Sequence, residues 1–200
     1  MSSTTRERIV EVAMQLFSEH GYAATSIAKI EAAAGLTPGA GGLYHHFKSK
    51  EAVLAAGIER QLARLDALRD IRQVLGSLGD LKAELTLTAR YVLAELDGES
   101  ELLRILAAEA RSRPALLGAA VEKLVDSTFA CFGGWIEERS QRPLAEGEAS
   151  AIAAVGLGSL LGSRLLRDVL GVPARVEDEM LVGAWVQMML RALEQGPDDR

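Results

Sequence analysis

Residues 35–50 read GLTPGAGGLYHHFKSK and contain four glycines, one proline, four consecutive ring-bearing side chains and two lysines. Glycine lets a backbone approach a ligand closely, and nearby lysines add positive charge, so this composition is typical of a segment that holds phosphate. The phosphate belongs either to a nucleotide in an enzyme or to a nucleic-acid backbone. The spacing of the residues distinguishes these two alternatives.

The spacing does not fit a nucleotide-binding enzyme. A P-loop requires glycine directly before its Lys-Ser pair, whereas Phe47 precedes Lys48-Ser49. A dinucleotide-binding turn requires Gly-x-Gly-x-x-Gly after a strand, but residues 39–44 read Gly-Ala-Gly-Gly-Leu-Tyr and follow a helical pattern. His45 and His46 are adjacent, which on a helix separates their directions by about 100° and prevents chelation of one metal ion. The sequence therefore predicts no enzymatic activity, no cofactor and no metal site.

Charge is distributed unevenly along the chain. Its 200 residues carry a net charge of −6. Residues 1–50 hold five Lys or Arg against four Asp or Glu, a net +1, and residues 51–200 hold seventeen against twenty-four, a net −7. Because phosphate repels an acidic surface, only the first part suits contact with nucleic acid.

The remaining composition predicts a cytoplasmic globular protein. Apolar residues make up 48% of the chain, and Cys131 is the single cysteine, which excludes an internal disulfide. The first residues have no apolar signal-peptide core. The longest apolar run, residues 151–162, is shorter than the roughly 20 residues that cross a bilayer, so we expect no membrane segment.

Helical periodicity extends over nearly the whole sequence, and no run alternates like a strand. Thr4-x-x-Glu7, Ser26 and Thr37-Pro38 predict the starts of three short helices within residues 1–48. Six mostly longer helices are predicted in the rest: about 49–75, 81–96, 101–112, 114–139, 145–170 and 176–194. The predicted fold is all-α, with an N-terminal three-helix domain, 1–48, followed by a six-helix domain, 49–200. In the first domain, two short helices joined at Gly35 have the arrangement of a DNA-binding helix-turn-helix.

A fixed series of residues strengthens this interpretation: Arg8-Ile9, Ala13, Leu16-Phe17, Glu19, Gly21-Tyr22, Thr25-Ser26-Ile27, Ile30, Ala34-Gly35-Leu36, Leu43-Tyr44, His46-Phe47 and Lys50-Glu51. In order and spacing, with one exception, this series resembles the N-terminal domain of the TetR family of bacterial transcription repressors. The resemblance covers residues 6–55. It implies double-stranded DNA as a partner and a C-terminal domain that binds a small molecule and pairs the subunits.

The exception lies within the opening segment. The step from Gly35 to Tyr44 is two residues longer than is usual in the family, and Glu31 stands where the family usually has alanine. The resemblance implies phosphate contacts after the insertion and at the start of the second helix. We expect the base edges to be read sparsely, with glycine allowing a close approach of the backbone. The predicted DNA-binding residues are Ser26, Lys29, Thr37, Gly39, Tyr44, His45, His46 and Lys50.

Two further sets of residues are predicted in the C-terminal domain. Aromatic and arginine side chains on the middle helices are candidates for the effector site, since such pockets are mostly apolar with a few polar anchors. These residues are Tyr91, Arg104, Arg111, Phe129, Phe132 and Trp135. Small residues at helical spacing, with apolar neighbours, are candidates for the dimer interface that the family forms with its last two helices. These residues are Ala154, Gly158, Leu161, Gly162, Trp185 and Met189.

The function implied is that of a ligand-responsive regulator. A homodimer would bind a palindromic operator as a repressor, and a largely apolar small molecule would release it. A transcriptional activator of the same family has the same sequence features. A helical adaptor that binds other proteins would share the dimer and pocket surfaces but would not depend on Tyr44 or Lys50.

Overall fold

The structure is a computed structural model that describes residues 4–60, 80–109 and 111–194. Its elements, in order, are α1 (Thr5–His20), α2 (Ile27–Ala33), a 3₁₀ helix (Gly42–His45), α3 (residues 50–60), α4 (Leu81–Gly98), α5 (Ser100–Glu109), α6 (Pro114–Arg139), α7 (Glu148–Arg164) with a π-helical continuation (Leu165–Val169), and α8 (Asp178–Glu194). These described ranges contain helices and no strands, which confirms the all-α prediction. The predicted end of the fourth helix near Leu75 and the turn at 76–79 lie outside the described residues.

Helix α1 begins and ends as its sequence predicts. Thr4 Oγ1 accepts a hydrogen bond from the Glu7 N–H, and Glu7 Oε2 accepts one from the Thr4 N–H, which together form a capping box. Gly21 ends the helix with a φ of 83° and donates its N–H to the Phe17 carbonyl. The helix therefore presents one continuous apolar face to the core: Ile9, Val10, Ala13, Met14 and Phe17.

The chain divides into two compact units, and the first comprises Met1–Asp66 and Glu99–Val121. Helix α1 packs against both α2 and α5 within it. One apolar core joins α1, α2, the 3₁₀ helix, α3, α5 and the start of α6, and its largest fully buried side chains are Ile9, Met14, Ile30, Leu43, Leu54, Leu102, Ile105 and Leu117. The helix-turn-helix is thus supported by helices that are distant in sequence.

The second unit comprises Ala67–Gly98 and Glu122–Arg200. Within it α4 packs against α7 and α8 around a core that includes Phe132, Leu160 and Trp185. Trp185 donates its Nε1–H to the Gly156 carbonyl oxygen at 2.8 Å. A Cβ on Gly156 would lie 3.1 Å from Met189 Sδ and 3.3 Å from Phe132 Cε1, so a side chain there would have to displace Met189 and Phe132 by a few tenths of an ångström.

A charged cluster joins the end of α4, the end of α7 and the start of α8. The Arg164 side chain is only 3% exposed, and its Nε lies 2.7 Å from Asp97 Oδ1 while Nη2 lies 2.7 Å from Asp178 Oδ2. Arg167 on the π-helical turn pairs with Asp97 and Asp168. The hydrogen bonds from Arg164 lower the pKa of Asp178. Because Arg164 is buried, its charge carries a desolvation cost, and the two carboxylate partners offset that cost.

The helix that runs from Glu148 to Val169 is longer than the apolar run read from the sequence. It has 22 residues and a mean hydropathy of 1.5, so by length and composition alone it is able to cross a membrane, contrary to the prediction from residues 151–162. One such helix is weak evidence for a membrane span, because core helices share these properties. Here only 33% of its apolar window is buried within the protomer. The helix therefore has an uncovered apolar surface.

We expect Arg164→Met to lower the free energy of unfolding by about 2 kcal/mol, measured by urea denaturation at neutral pH. Removing one partner of a buried ion pair costs about 3–5 kcal/mol in general. The value here is smaller because Asp97 and Asp178 are 41% and 52% exposed and are hydrated once the arginine is gone.

The same variant tests the effect of pH. The folded-state pKa of Asp178 is depressed, so its stabilising contribution is present above the unfolded pKa of about 4 and is lost as the pH falls through the folded value. The unfolding free energy of Arg164→Met should therefore decrease less on acidification. The control is Arg90→Met, which breaks the exposed pair with Glu179 and should change stability by less than about 1 kcal/mol. Equal behaviour of the two variants would contradict the role of the cluster.

Candidate DNA-binding surface

Helix α2 has seven residues and depends on hydrogen bonds at both ends. Ser26 Oγ accepts from the Lys29 N–H at 3.2 Å, as expected of a serine N-cap. At the other end Gly35 has a φ of 72°, and the Leu36 N–H donates to the Glu31 carbonyl at 2.8 Å. Arg8 adds a hydrogen bond from Nε to the Ala34 carbonyl at 2.8 Å. These contacts fix α2 on α1.

The third helix differs from its prediction. Thr37 does not begin an α-helix; its carbonyl accepts from the Ala40 N–H at 3.2 Å across a tight turn. Gly39 and Gly41 have φ values of 75° and 78°, a left-handed conformation that interrupts a right-handed helix. A 3₁₀ helix of four residues, Gly42–His45, follows. The glycines in the insertion therefore shorten the recognition element to a turn and a single helical turn.

Glu31 holds this irregular segment from inside the unit. Its side chain is fully buried, with Oε2 accepting from the Gly39 N–H at 2.7 Å and Oε1 accepting from the Leu43 N–H at 3.0 Å. A buried amide without a partner costs about 1–3 kcal/mol, so these bonds matter for a segment that lacks helical ones. In the sequence Glu31 is unusual only as a departure from the family's alanine, which does not predict this role.

Most of the predicted DNA-binding residues lie on one exposed stretch of the first unit. Leu43 and Phe47 are buried, and the three residues between them project into solvent, with Tyr44 57% exposed. Seven of the eight predicted residues are exposed: Ser26, Lys29, Thr37, Gly39, Tyr44, His45 and His46. The exposed residues at the start of α2 and in the segment that follows it are available to a partner.

Lys50 is the exception, because its side chain is half-buried and its ammonium group contacts other residues of the unit. Nζ donates to the carbonyl oxygens of Tyr22 at 2.7 Å and Thr25 at 2.8 Å, and it lies 4.1 Å from the centre of the Tyr22 ring. Burial lowers the pKa of Lys50, and the positive charge of Arg113 lowers it further, while Glu109 opposes the shift. A phosphate contact by Lys50 would compete with these bonds.

Arg113 also contacts Tyr22 and was missed in the sequence. Its guanidinium carbon lies 4.1 Å from the centre of the Tyr22 ring, and its Nε lies 3.2 Å from Glu109 Oε2. Two cations, Lys50 and Arg113, therefore contact one buried tyrosine ring. Tyr22 and Arg113 belong to the two separate sequence segments of the unit, so no local pattern links Arg113 to Tyr22.

The predicted effector residues are divided between the two units. Tyr91, Phe129, Phe132 and Trp135 belong to the second unit, where the Phe132 and Trp135 rings stack at 5.5 Å and Phe132 is fully buried in the core. Arg104 and Arg111 belong to the first unit.

A separate open groove of about 400 Å³ lies between α4 and α8. It is lined by Lys82, Thr86, Arg90, Glu179, Val182, Gly183, Val186 and Gln187.

The predicted dimer residues fall into two groups. Trp185 and Met189 are buried in the core of the protomer, at 3% and 1% exposure, so they are not available to a partner subunit. Ala154 is exposed, and Gly158, Leu161 and Gly162 are half-buried. A Cβ on Gly158 or Gly162 would meet nothing within 4 Å in the protomer, unlike one on Gly156. Packing within the protomer therefore does not explain these two glycines.

Comparison with known proteins places the chain in a family. Residues 9–56 match the family model of bacterial regulatory proteins of the tetR family. Over 183 residues, 88% of this chain and 84% of the relative, the chain is 32% identical to the HTH-type transcriptional regulator UidR of Escherichia coli K12. The chain belongs to the TetR family. The resemblance seen in residues 6–55 is confirmed, and TetR-family proteins are DNA-binding transcriptional regulators and not enzymes.

Solved structures of other proteins share the fold. A TetR-family transcriptional regulator from Mesorhizobium loti aligns with a TM-score of 0.71 at 23% identity, covering 94% of this chain and 96% of that one. AibR, solved with isovaleryl coenzyme A and operator DNA, aligns with a TM-score of 0.63 at 25% identity, covering 92% and 97%. The helical arrangement of this TetR-family chain, with an N-terminal helix-turn-helix and a C-terminal helical domain, is therefore that of the family.

We expect Lys50→Met to destabilise this TetR-family protein by about 1–2 kcal/mol, because two buried carbonyls and the Tyr22 ring lose their cation. Thermal or urea denaturation measures the change. Lys48→Met is the matched control: Lys48 is an exposed lysine two positions away and should change stability by less than about 0.5 kcal/mol. If both variants unfold like the wild type, the contacts of Lys50 do not stabilise the unit.

Proposed function

We propose that this chain is a homodimeric repressor that binds a palindromic operator and is released from it by a small molecule. The observation that carries the proposal is the exposed group Tyr44–His46, which is anchored on either side by buried Leu43 and Phe47. An exposed tyrosine ring followed by two exposed imidazoles contributes little to folding. It suits a nucleic-acid backbone, to which tyrosine and histidine side chains donate hydrogen bonds.

The DNA contacts follow from the exposed residues. We assign DNA binding to residues 1–48 with the start of α3, and effector binding and dimerisation to residues 49–200. Tyr44, His46 and the start of α2 at Ser26 are placed against phosphate, and Thr37, Lys29 and His45 against base edges. Lys50 contacts phosphate only if it exchanges one of its internal bonds, and Lys29 likewise reaches a base only if Nζ leaves the Ala24 carbonyl. DNA binding also implies that the protein works in the cytoplasm.

The dimer proposal is supported by exposed apolar residues on the last two helices. Val155 on α7 is 60% exposed, and Met180 and Met188 on α8 are 61% and 37% exposed. Together with Gly158 and Gly162, which have open space beside them, they form an apolar face that a second copy would cover. This face also accounts for the large unburied share of the apolar helix Glu148–Val169. In a dimer the two DNA-binding units would read half-sites about 34 Å apart.

The effector proposal is supported by the relative AibR, which binds isovaleryl coenzyme A, a molecule with an apolar acyl group. We propose a largely apolar effector for this chain, bound near Phe129 and Trp135 on α6, with Tyr91 on α4. Release requires only that the effector binds the DNA-incompatible state more tightly, by a coupling free energy of about 1–3 kcal/mol. Acyl coenzyme A esters of graded chain length are the first probes to add to the protein–DNA complex.

Selection of binding sites from random duplex DNA by the purified protein tests the operator proposal. We expect an enriched palindrome, and we expect Tyr44→Ala to raise the dissociation constant for that operator about tenfold, a loss of about 1.4 kcal/mol. Tyr44→Phe removes only the hydroxyl and so separates its contribution to affinity from that of the ring. His20→Ala is the control, because it removes an exposed ring elsewhere in the unit. No enriched palindrome, or full affinity in Tyr44→Ala, would contradict the proposal; full affinity is what the adaptor alternative requires.

A charge on the apolar face should separate the subunits. We expect Met188→Glu to be monomeric in analytical ultracentrifugation and to bind a full operator at least tenfold more weakly, because only one half-site is engaged at a time. Leu87→Glu is the matched control, since Leu87 on α4 is also 37% exposed but lies outside the proposed face. A Met188→Glu variant that stays dimeric would show that the subunits pair elsewhere.

A further inference from the structure

The structure assigns Glu31 a role in operator selectivity: we propose that its buried carboxylate is a positioning residue that fixes the segment reading the DNA bases. The inference rests on the proposed function, because it requires residues 37–43 to enter the major groove. It adds a residue that does not itself contact DNA. Glu31 is fully buried and acts only through the backbone of that segment.

The contacts of Glu31 lie on both sides of the most irregular part of the segment. One carboxylate oxygen accepts from the Gly39 N–H at 2.7 Å, and the other accepts from the Leu43 N–H at 3.0 Å. Between these amides lie Ala40, the left-handed Gly41 and Gly42, where the backbone has no α-helical hydrogen bonds to set its path. A single side chain thus fixes the start and the end of the loop relative to α2.

A carboxylate is suited to this task because it offers two acceptors and no donor. Glutamine at position 31 would supply one oxygen and one NH₂ group, and the NH₂ would face a backbone N–H. Alanine would supply neither. The loop lacks helical hydrogen bonds of its own, and Glu31 supplies an acceptor for an amide at each end of it.

The fixed loop determines where the reading residues stand. Thr37 and Ala40 are exposed on the turn held by the Gly39 amide. Tyr44 and His45 follow directly after Leu43, so a shift of the Leu43 amide moves both side chains. Base recognition depends on hydrogen-bond geometry, whereas phosphate attraction falls off more slowly with distance. Loss of Glu31 should therefore reduce selectivity more than general affinity for DNA.

The test compares Glu31→Gln and Glu31→Ala with the wild type on the selected operator and on a scrambled duplex of the same length. We expect the ratio of the two dissociation constants to fall at least tenfold in Glu31→Gln and further in Glu31→Ala. Affinity for the scrambled duplex and its salt dependence should stay within twofold, since every lysine and arginine is kept and the carboxylate that is lost is buried. Hydrogen exchange should quicken at the Gly39 and Leu43 amides and not at α1.

Glu11→Gln is the control, because Glu11 is an exposed glutamate on α1 of the same unit. If Glu31→Ala does not fold, as seen by circular dichroism, Glu31→Gln decides. An unchanged selectivity ratio in a folded Glu31→Gln variant, or unchanged exchange at both amides, would overturn the inference. A wild type that selects no operator would instead refute the proposed function, and the two failures are distinguished by the wild-type measurement alone.

Discussion

The DNA-binding unit depends on pairing the backbone groups that short helices leave unpaired at their ends. An α-helix leaves four N–H and four C=O groups without partners inside it, so in the seven-residue α2 nearly every residue is affected. Ser26, Gly35 and Arg8 supply partners for the two ends of α2. Lys50 does the same for carbonyls in the turn before α2. Side chains at helix ends, as much as the apolar core, hold this unit together.

Charge and apolar surface have different distributions in the two units. In the second unit a buried arginine, Arg164, connects three helix ends through Asp97 and Asp178, while the outer faces of α7 and α8 carry exposed Val155, Met180 and Met188. The ionic cluster holds the end of α7 and the start of α8 against the end of α4. The relative orientation of α7 and α8 in turn sets the shape of the outer apolar face. Specificity of pairing in the proposed dimer would then follow from contacts that are internal to each protomer.

The sequence predicted those parts of the fold that local patterns encode. The structure contains the predicted capping box at Thr4 and the predicted helix end at Gly21, because each involves residues only three or four positions apart. The recognition helix was predicted wrongly: Thr37-Pro38 has the form of a helix start, but Gly39 and Gly41 adopt left-handed conformations and form a turn. Trp185 was placed at an interface because large apolar residues suit both interfaces and cores, and only its contact with Gly156 distinguishes the two. Partners distant in sequence, such as Arg113 and Tyr22, leave no local pattern.

The positive charges of the N-terminal region argue for two DNA-binding units acting together. Of its five lysines and arginines, four make contacts within the protein: Arg6 with the Phe47 ring, Arg8 with Ala34, Lys29 with Ala24, and Lys50 with Tyr22 and Thr25. Each phosphate neutralised by a cation contributes to affinity through counterion release, so a unit with few uncommitted cations binds DNA weakly. Joining two such units makes the second contact intramolecular and raises its effective concentration. Tight operator binding would therefore depend on the proposed dimer, and so on the apolar face of α7 and α8 that would form it.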